Sequence, residues 1–263
     1  IAARTGAPLV TVEDAPLRSL RPGRHGEPPL GLLIDPEGVH FDARRPSRLE
    51  RILATDPLDD AALLGRAESA IARIRAAHLT KYAACRTDLT PPEPGYVLVI
   101  DQVRGDASVL ASGGDRARFQ EMLTTARLDH PGARIVIRGH PETAQGLRPG
   151  HLGPGDCRGD DLYHEAPISP WLLLEGARAV YTLSSQMGFE AILAGHRPQV
   201  FGTPFYAGWG LTVDHADLPR RGRALTRRQL FAAAMILYPT WYDPYRDRLC
   251  PLEDTIEALA ARA

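Results

Sequence analysis

Apolar and polar positions change their period near residue 95. Before that point the apolar runs are short and broken by turns. Leu9-Val10-Thr11-Val12 reads as a strand ending in the acidic pair Glu13-Asp14. Leu30 to Ile34, the turn Asp35-Pro36-Glu37-Gly38 and then Val39-His40-Phe41 predict a hairpin. Pro46-Ser47 opens a short helix through Leu53, and Asp59 to Ala77 repeats Leu63, Leu64, Ala67, Ala70, Ile71 and Ile74 at helical spacing. Thr87 to Gly95, with three prolines, reads as a linker. Strands and helices then alternate. Strands are expected at 96–100, 134–137, 162–164, 180–183 and 199–201, with helices at 119–128, 170–176 and 191–194 between them. Alternation of this kind predicts a parallel, doubly wound sheet. Arg227 to Leu237 and Leu252 to Ala261 read as closing helices, separated by a stretch rich in aromatics, prolines and charge. The expected division is an α/β half over 1–88 and a second over 89–263.

One stretch organises the second half. The strand Val180 to Leu183 runs into Ser184-Ser185-Gln186, where serine suits a helix cap, and Gly195 closes the helix. A strand entering a serine-capped helix presents backbone N–H groups and hydroxyls, which suit an anion such as phosphate. The plainer alternative is an ordinary capped crossover. Phe201 to Gly210 then gathers Phe201, Phe205, Tyr206 and Trp209 with three glycines. Such a loop at a strand's carboxyl end is either a ligand wall or packing. Two further loops follow strands: Asp101 to Asp106, and Arg138 to Glu142 with His140-Pro141. A proline after histidine favours extended backbone there.

Composition narrows the classes. The 263 residues are 44% hydrophobic and 24% charged with a formal net charge of −1. No global field favours nucleic acid. The three cysteines, Cys85, Cys157 and Cys250, are far apart, without metal spacing, and fit a reducing compartment. No apolar run is long enough to span a bilayer. The chain starts at Ile1, so a piece of a longer protein is expected.

Ser184 to Glu190, followed by Phe205-Tyr206-Ala207-Gly208-Trp209-Gly210-Leu211-Thr212, resembles the signature of capsule polysaccharide β-Kdo transferases of the KpsC type. Glu13-Asp14 with Leu17-Arg18-Ser19, Glu27-Pro28-Pro29-Leu30, Lys81-Tyr82, Asp101 to Asp106 and His140-Pro141 agree in order. The resemblance implies a GT-B fold: two Rossmann-like halves facing a cleft, the first incomplete here. It implies a retaining transferase with CMP-Kdo as donor and a Kdo-terminated (lyso)phosphatidylglycerol lipid as acceptor; with no aspartate-rich pair in the sequence placed to hold a cation on phosphate, neither a cofactor nor a metal is expected. It also implies a cytoplasmic protein peripheral to the inner membrane, working with capsule assembly proteins. Retention by two inversions needs a carboxylate nucleophile, a role carried onto Asp106, with Asp101 as the alternative. His140, Pro141, Arg138, Ser184, Ser185, Gln186 and Glu190 are expected to hold CMP. Arg104, Gln102, Arg18, Tyr206 and Trp209 are expected at the sugars, and Glu13 or Asp14 as base toward the acceptor. A sialyltransferase-like CMP-sugar enzyme and a non-catalytic glycolipid-binding export module are the rival readings.

Overall fold

A computed structural model describes residues 7–262. In chain order its strands are β1 (Thr11–Asp14), β2 (Gly31–Asp35), β3 (Tyr96–Ile100), β4 (Ile135–Arg138), β5 (Leu162–His164), β6 (Ala177–Thr182), β7 (Gln199–Val200), β8 (Val213–Asp214), β9 (Thr240–Asp243) and β10 (Arg248–Cys250). The helices are α1 (Arg48–Thr55), α2 (Ala61–Ala76), α3 (Ala107–Ala111), α4 (Arg116–Asp129), α5 (Pro141–Ala144), α6 (Pro170–Gly176), α7 (Gln186–Ala194), α8 (Arg227–Phe231) and α9 (Leu252–Ala260). A π-helical segment, Ala232–Leu237, continues α8. The chain divides into two units, residues 1–84 with 226–263, and residues 85–225.

The first unit holds a four-stranded antiparallel sheet in the order β1-β2-β9-β10. It departs from expectation in three ways. Val39-His40-Phe41 forms no strand. The Asp35 carboxylate instead accepts the amides of Glu37 (2.8 Å) and Arg48 (2.8 Å) and the Tyr238 hydroxyl (2.8 Å), turning the chain into α1. The place beside β2 is taken by β9 from the far end of the chain, with Gly31 opposite Trp241. A side chain at Gly31 would enter the Trp241 ring, with its Cβ 2.7 Å from Cζ3, so glycine permits this pairing. Residues 226–262 therefore belong with the first unit, correcting the expected second half over 89–263. The first unit's sheet is also antiparallel, where a Rossmann-like parallel sheet was expected.

The second unit matches its pattern closely. Six parallel strands run in the order β5-β4-β3-β6-β7-β8. Numbered within the unit this is 3-2-1-4-5-6, the doubly wound order whose direction reverses between β3 and β6. Every residue of β3 and β4 is buried, as continuous apolar runs in a covered parallel sheet should be. Phe119, Met122, Leu123 and Ala126 of α4 pack with Val97, Val99, Ile135 and Ile137 in one core. Ser169 and Ser185 cap α6 and α7, accepting the amides of Trp171 and Met187 at 3.2 Å each.

Candidate functional site at the strand reversal

The carboxyl ends of β3 and β6 lie side by side, and the polar residues that follow them meet. Gln102 Oε1 accepts the Ser184 amide at 2.9 Å, and Gln102 Nε2 donates to Ser184 Oγ at 3.2 Å. Ser108 Oγ lies 3.0 Å from Ser184 Oγ and donates to Asp106 Oδ1 at 2.6 Å. Asp106 Oδ1 also caps α3 through the amides of Ser108 (2.8 Å) and Val109 (3.3 Å). Asp106, Gln102 and Ser184 are thus brought into one hydrogen-bonded group. Asp106 keeps partial exposure, while Gln102 and Ser184 are buried.

Asp101, one residue past β3, is only 2% exposed. Its Oδ1 accepts the amides of His151 (3.2 Å) and Leu152 (3.0 Å), while no described residue bonds its buried Oδ2. Burial pushes its carboxyl up to about 7 against the opposing pull of those amides. Gly150 has no room for a Cβ over that oxygen. Asp101 therefore anchors the 150–152 loop rather than presenting a nucleophile. His151, buried and stacked on Phe119 at 4.3 Å between ring centroids, escaped the sequence reading.

After β4, His140 caps α5, with Nδ1 accepting the Glu142 amide at 3.1 Å. Its neutral ring then carries the proton on Nε2, as a donor. Arg138 is 7% exposed and spends its guanidinium on the carbonyls of Ala166 (2.6 Å) and His164 (3.3 Å). Desolvation lowers it to about 10. Its geometry is that of a brace across β4 and β5, not of a phosphate ligand. On α7, Gln186 Nε2 donates to Glu190 at 3.2 Å, and Glu190 is buried rather than a solvated helix residue.

Tyr206 and Trp209 correct the expectation of sugar contacts. Both are 0% exposed. Tyr206 donates to the Ser185 carbonyl at 2.7 Å and Trp209 to the Phe205 carbonyl at 2.8 Å. The aromatic loop packs against the start of α7, and its buried rings Phe201, Tyr206 and Trp209 have no surface for a ligand, while Phe205 keeps partial exposure. Gln102 is likewise spent on Ser184. Arg104 remains exposed, with Nε donating to the Gly150 carbonyl at 2.9 Å. It lines a cleft of about 470 Å³ with Arg116, Thr143, Tyr163 and Glu165.

In the first unit Arg18 is buried, donating to Asp14 at 2.6 Å and to the Glu27 carbonyl at 2.9 Å. That closed arrangement makes Arg18 a structural partner of Asp14 rather than a sugar ligand. Glu13 is exposed.

A parallel sheet in this order, with polar groups joined at its reversal, defines a doubly wound ligand-binding fold. The chain belongs to the capsule polysaccharide biosynthesis protein family, whose pattern matches residues 59–240. It is 36% identical to the capsule polysaccharide modification protein LipA of Neisseria meningitidis serogroup B, over 98% of this chain and 38% of LipA. Identity to the lipopolysaccharide-processing protein LpsZ of Rhizobium meliloti is 34%, over 98% of this chain and 60% of LpsZ. The chain therefore spans less than two thirds of either relative. A solved structure of Thermosulfurimonas dismutans KpsC, a β-Kdo 2,4 transferase, superposes with a TM-score of 0.93 at 37% identity, covering 98% of this chain and 81% of that one. The β-Kdo 2,7 transferase of KpsC from the same organism gives a TM-score of 0.77 at 30% identity, covering 98% and 79%. The resemblance carried by Ser184 to Glu190 and Phe205 to Thr212 is borne out, and the fold is GT-B-like mixed α/β.

Proposed function

We propose that this chain is a retaining β-Kdo transferase module, taking Kdo from CMP-Kdo and adding it to a Kdo-terminated lipid acceptor in capsule assembly. The observation that carries the reading is Asp106. Its carboxylate stands at the strand reversal, tied through Ser108 and Ser184 to the mouth of α7. The likeness to KpsC Kdo transferases supports the sugar. The greater likeness to the 2,4 than to the 2,7 transferase supports a β-2,4 linkage.

In this reading the CMP phosphate lies at the amide end of the nine-residue α7, with Ser185 and Gln186 beside it. His140 Nε2–H supplies a second donor, and no metal ion is assigned a part. Arg104 meets the Kdo carboxylate from the cleft, where a guanidinium offers parallel donors. Asp106 Oδ2 attacks the anomeric carbon; the bond to the phosphate oxygen breaks and its electron pair leaves with CMP. The acceptor hydroxyl then attacks the same carbon, its proton passing to the departed phosphate, and the Asp106 ester bond breaks. Two inversions give retention.

The test is Asp106→Asn in the whole chain. It should bind CMP within about threefold of the parent and lose transfer by at least about 10³-fold, as removal of a nucleophile does. Intact-mass spectrometry of the parent with CMP-Kdo and no acceptor should show a Kdo adduct on the Asp106 peptide. An adduct on the Asp101 carboxylate, or near-normal transfer by Asp106→Asn, rejects the reading.

A further inference from the structure

Asp106 could cap α3 without the Ser108 side chain. A cap needs only amide donors, and Ser108 N and Val109 N supply them. The Ser108 hydroxyl does something additional: it joins Asp106 to Ser184, which lies 76 positions beyond Ser108 in the chain.

The proton positions in this group can be read from distances. At 2.6 Å the contact from Ser108 Oγ to Asp106 Oδ1 is in the range of a hydroxyl donating to a charged carboxylate. A hydroxyl has one proton, so Ser108 accepts from Ser184 Oγ at 3.0 Å, the shorter of the two contacts open to the Ser184 proton, the other being Gln102 Oε1 at 3.4 Å. Ser184 Oγ in turn accepts from Gln102 Nε2 at 3.2 Å, and the Ser184 amide at 2.9 Å on Oε1 fixes which way the Gln102 amide faces. The chain of donors runs one way, from buried Gln102 through two serines to Asp106. Oδ1 accepts three hydrogen bonds, and no described residue donates to Oδ2. The two carboxylate oxygens are therefore unequal, and only Oδ2 is open to form a bond.

We infer that Ser108 is a positioning residue that acts through Asp106, holding Oδ1 so that Oδ2 reacts and favouring the carboxylate as a leaving group. The inference rests on the reading of Asp106 as nucleophile. In the first step Oδ2 bonds the anomeric carbon as CMP departs with its electron pair. In the second the acceptor oxygen bonds that carbon, and the C–Oδ2 pair returns to Asp106, spreading onto Oδ1. A donor on Oδ1 strengthens as that charge returns. It makes the carboxylate a slightly weaker nucleophile, yet lowers the barrier to its release. Losing Ser108 therefore slows release of Kdo more than capture.

Steady-state kinetics and intact-mass spectrometry on the whole chain, with CMP-Kdo and a Kdo-terminated acceptor, test this using Ser108→Ala, Ser108→Thr and Asp106→Asn. Ser108→Ala should lower kcat by about 10- to 100-fold, the size expected for a hydrogen bond to a charged group. KM for CMP-Kdo should fall with it, leaving kcat/KM within about threefold, and the Asp106 adduct should build up even with acceptor present. Ser108→Thr keeps the hydroxyl and should restore kcat to within about threefold of the parent. An unchanged kcat in Ser108→Ala, a lowered kcat without adduct or without the parallel fall in KM, or failure of threonine to restore turnover overturns the role of Ser108. If Asp106→Asn is inactive in those cases, the nucleophile reading stands alone. Near-normal transfer by Asp106→Asn overturns both.

Discussion

Burial raises the Asp101 carboxyl from 3.8 to about 7, even though two loop amides favour its charged form. The sign of the consequence follows from linkage. Below 3.8 folded and unfolded chains are both protonated here. As pH rises toward 7 the folded state binds more protons, so stability is lost with rising pH through that window. Asp101→Asn removes the charge while keeping an acceptor for His151 and Leu152. Its stability relative to the parent should therefore improve by about 2 kcal/mol between pH 5 and pH 8. Urea midpoints at the two pH values measure this, and a pH-independent difference would contradict the account. The same residue marks the limit of reading position alone. Asp101 and Asp106 both follow β3, but only burial separates an anchor from a candidate nucleophile.

Among the elements, α7 carries the most constraint. Its Gly188 faces Tyr206, and a Cβ there would lie 2.7 Å from Tyr206 Cζ and 2.8 Å from Thr182 Cγ2. Alanine favours a helix over glycine by about 1 kcal/mol. Overpacking against a fully buried ring costs about 1–3 kcal/mol and should win. Gly188→Ala is expected to destabilise the chain by about 1 kcal/mol net. Adding Tyr206→Phe, which removes the hydroxyl in the way, should recover part of that loss. Denaturation of both single variants and the double variant gives the coupling; strictly additive losses would show that the two residues do not touch in the way described. Because Tyr206 also donates to the Ser185 carbonyl, the aromatic loop supports the N-terminal end of α7.

For the whole molecule, the order of chain and the order of space differ. The chain leaves the first unit after residue 84 and returns at 226, and β9 is needed to pair β2. Ending the chain at Leu225 removes β9, β10, α8 and α9. The inner edge of β2 is then unpaired and Leu33, 3% exposed in the intact chain, loses cover. Hydrogen exchange should show amides of residues 31–76 losing protection, while β3 and β4 keep theirs through pairings that lie within 85–225. Retained protection in β2 would mean that the first unit does not depend on the returning segment.

Much of the second unit is legible in the chain as written. β5 and α6 fall where expected, as does β3, the last because a continuous apolar run between turn residues encodes a buried parallel strand without reference to distant partners. The loops bearing Asp106 and His140 and the cap Ser185 are legible because each follows an apolar run and local caps depend on neighbours one turn away; the roles expected of Asp106 and His140 come from the family resemblance. Pairing choices are not local. Whether β2 pairs with Val39 to Phe41 or with β9 depends on what Asp35 binds, and its partners include Arg48 and Tyr238. The composition of Phe201 to Gly210 suits a ligand wall as well as a packed loop, and only the cover over Tyr206 and Trp209 decides between them. Ser108 has an ordinary helix-start composition; its link to Ser184 exists only because β3 and β6 lie side by side. Sequence alone determined periods, caps and the loops that bear chemistry. Tertiary structure decided which of those groups meet, since burial and partnership are set by residues far away in the chain.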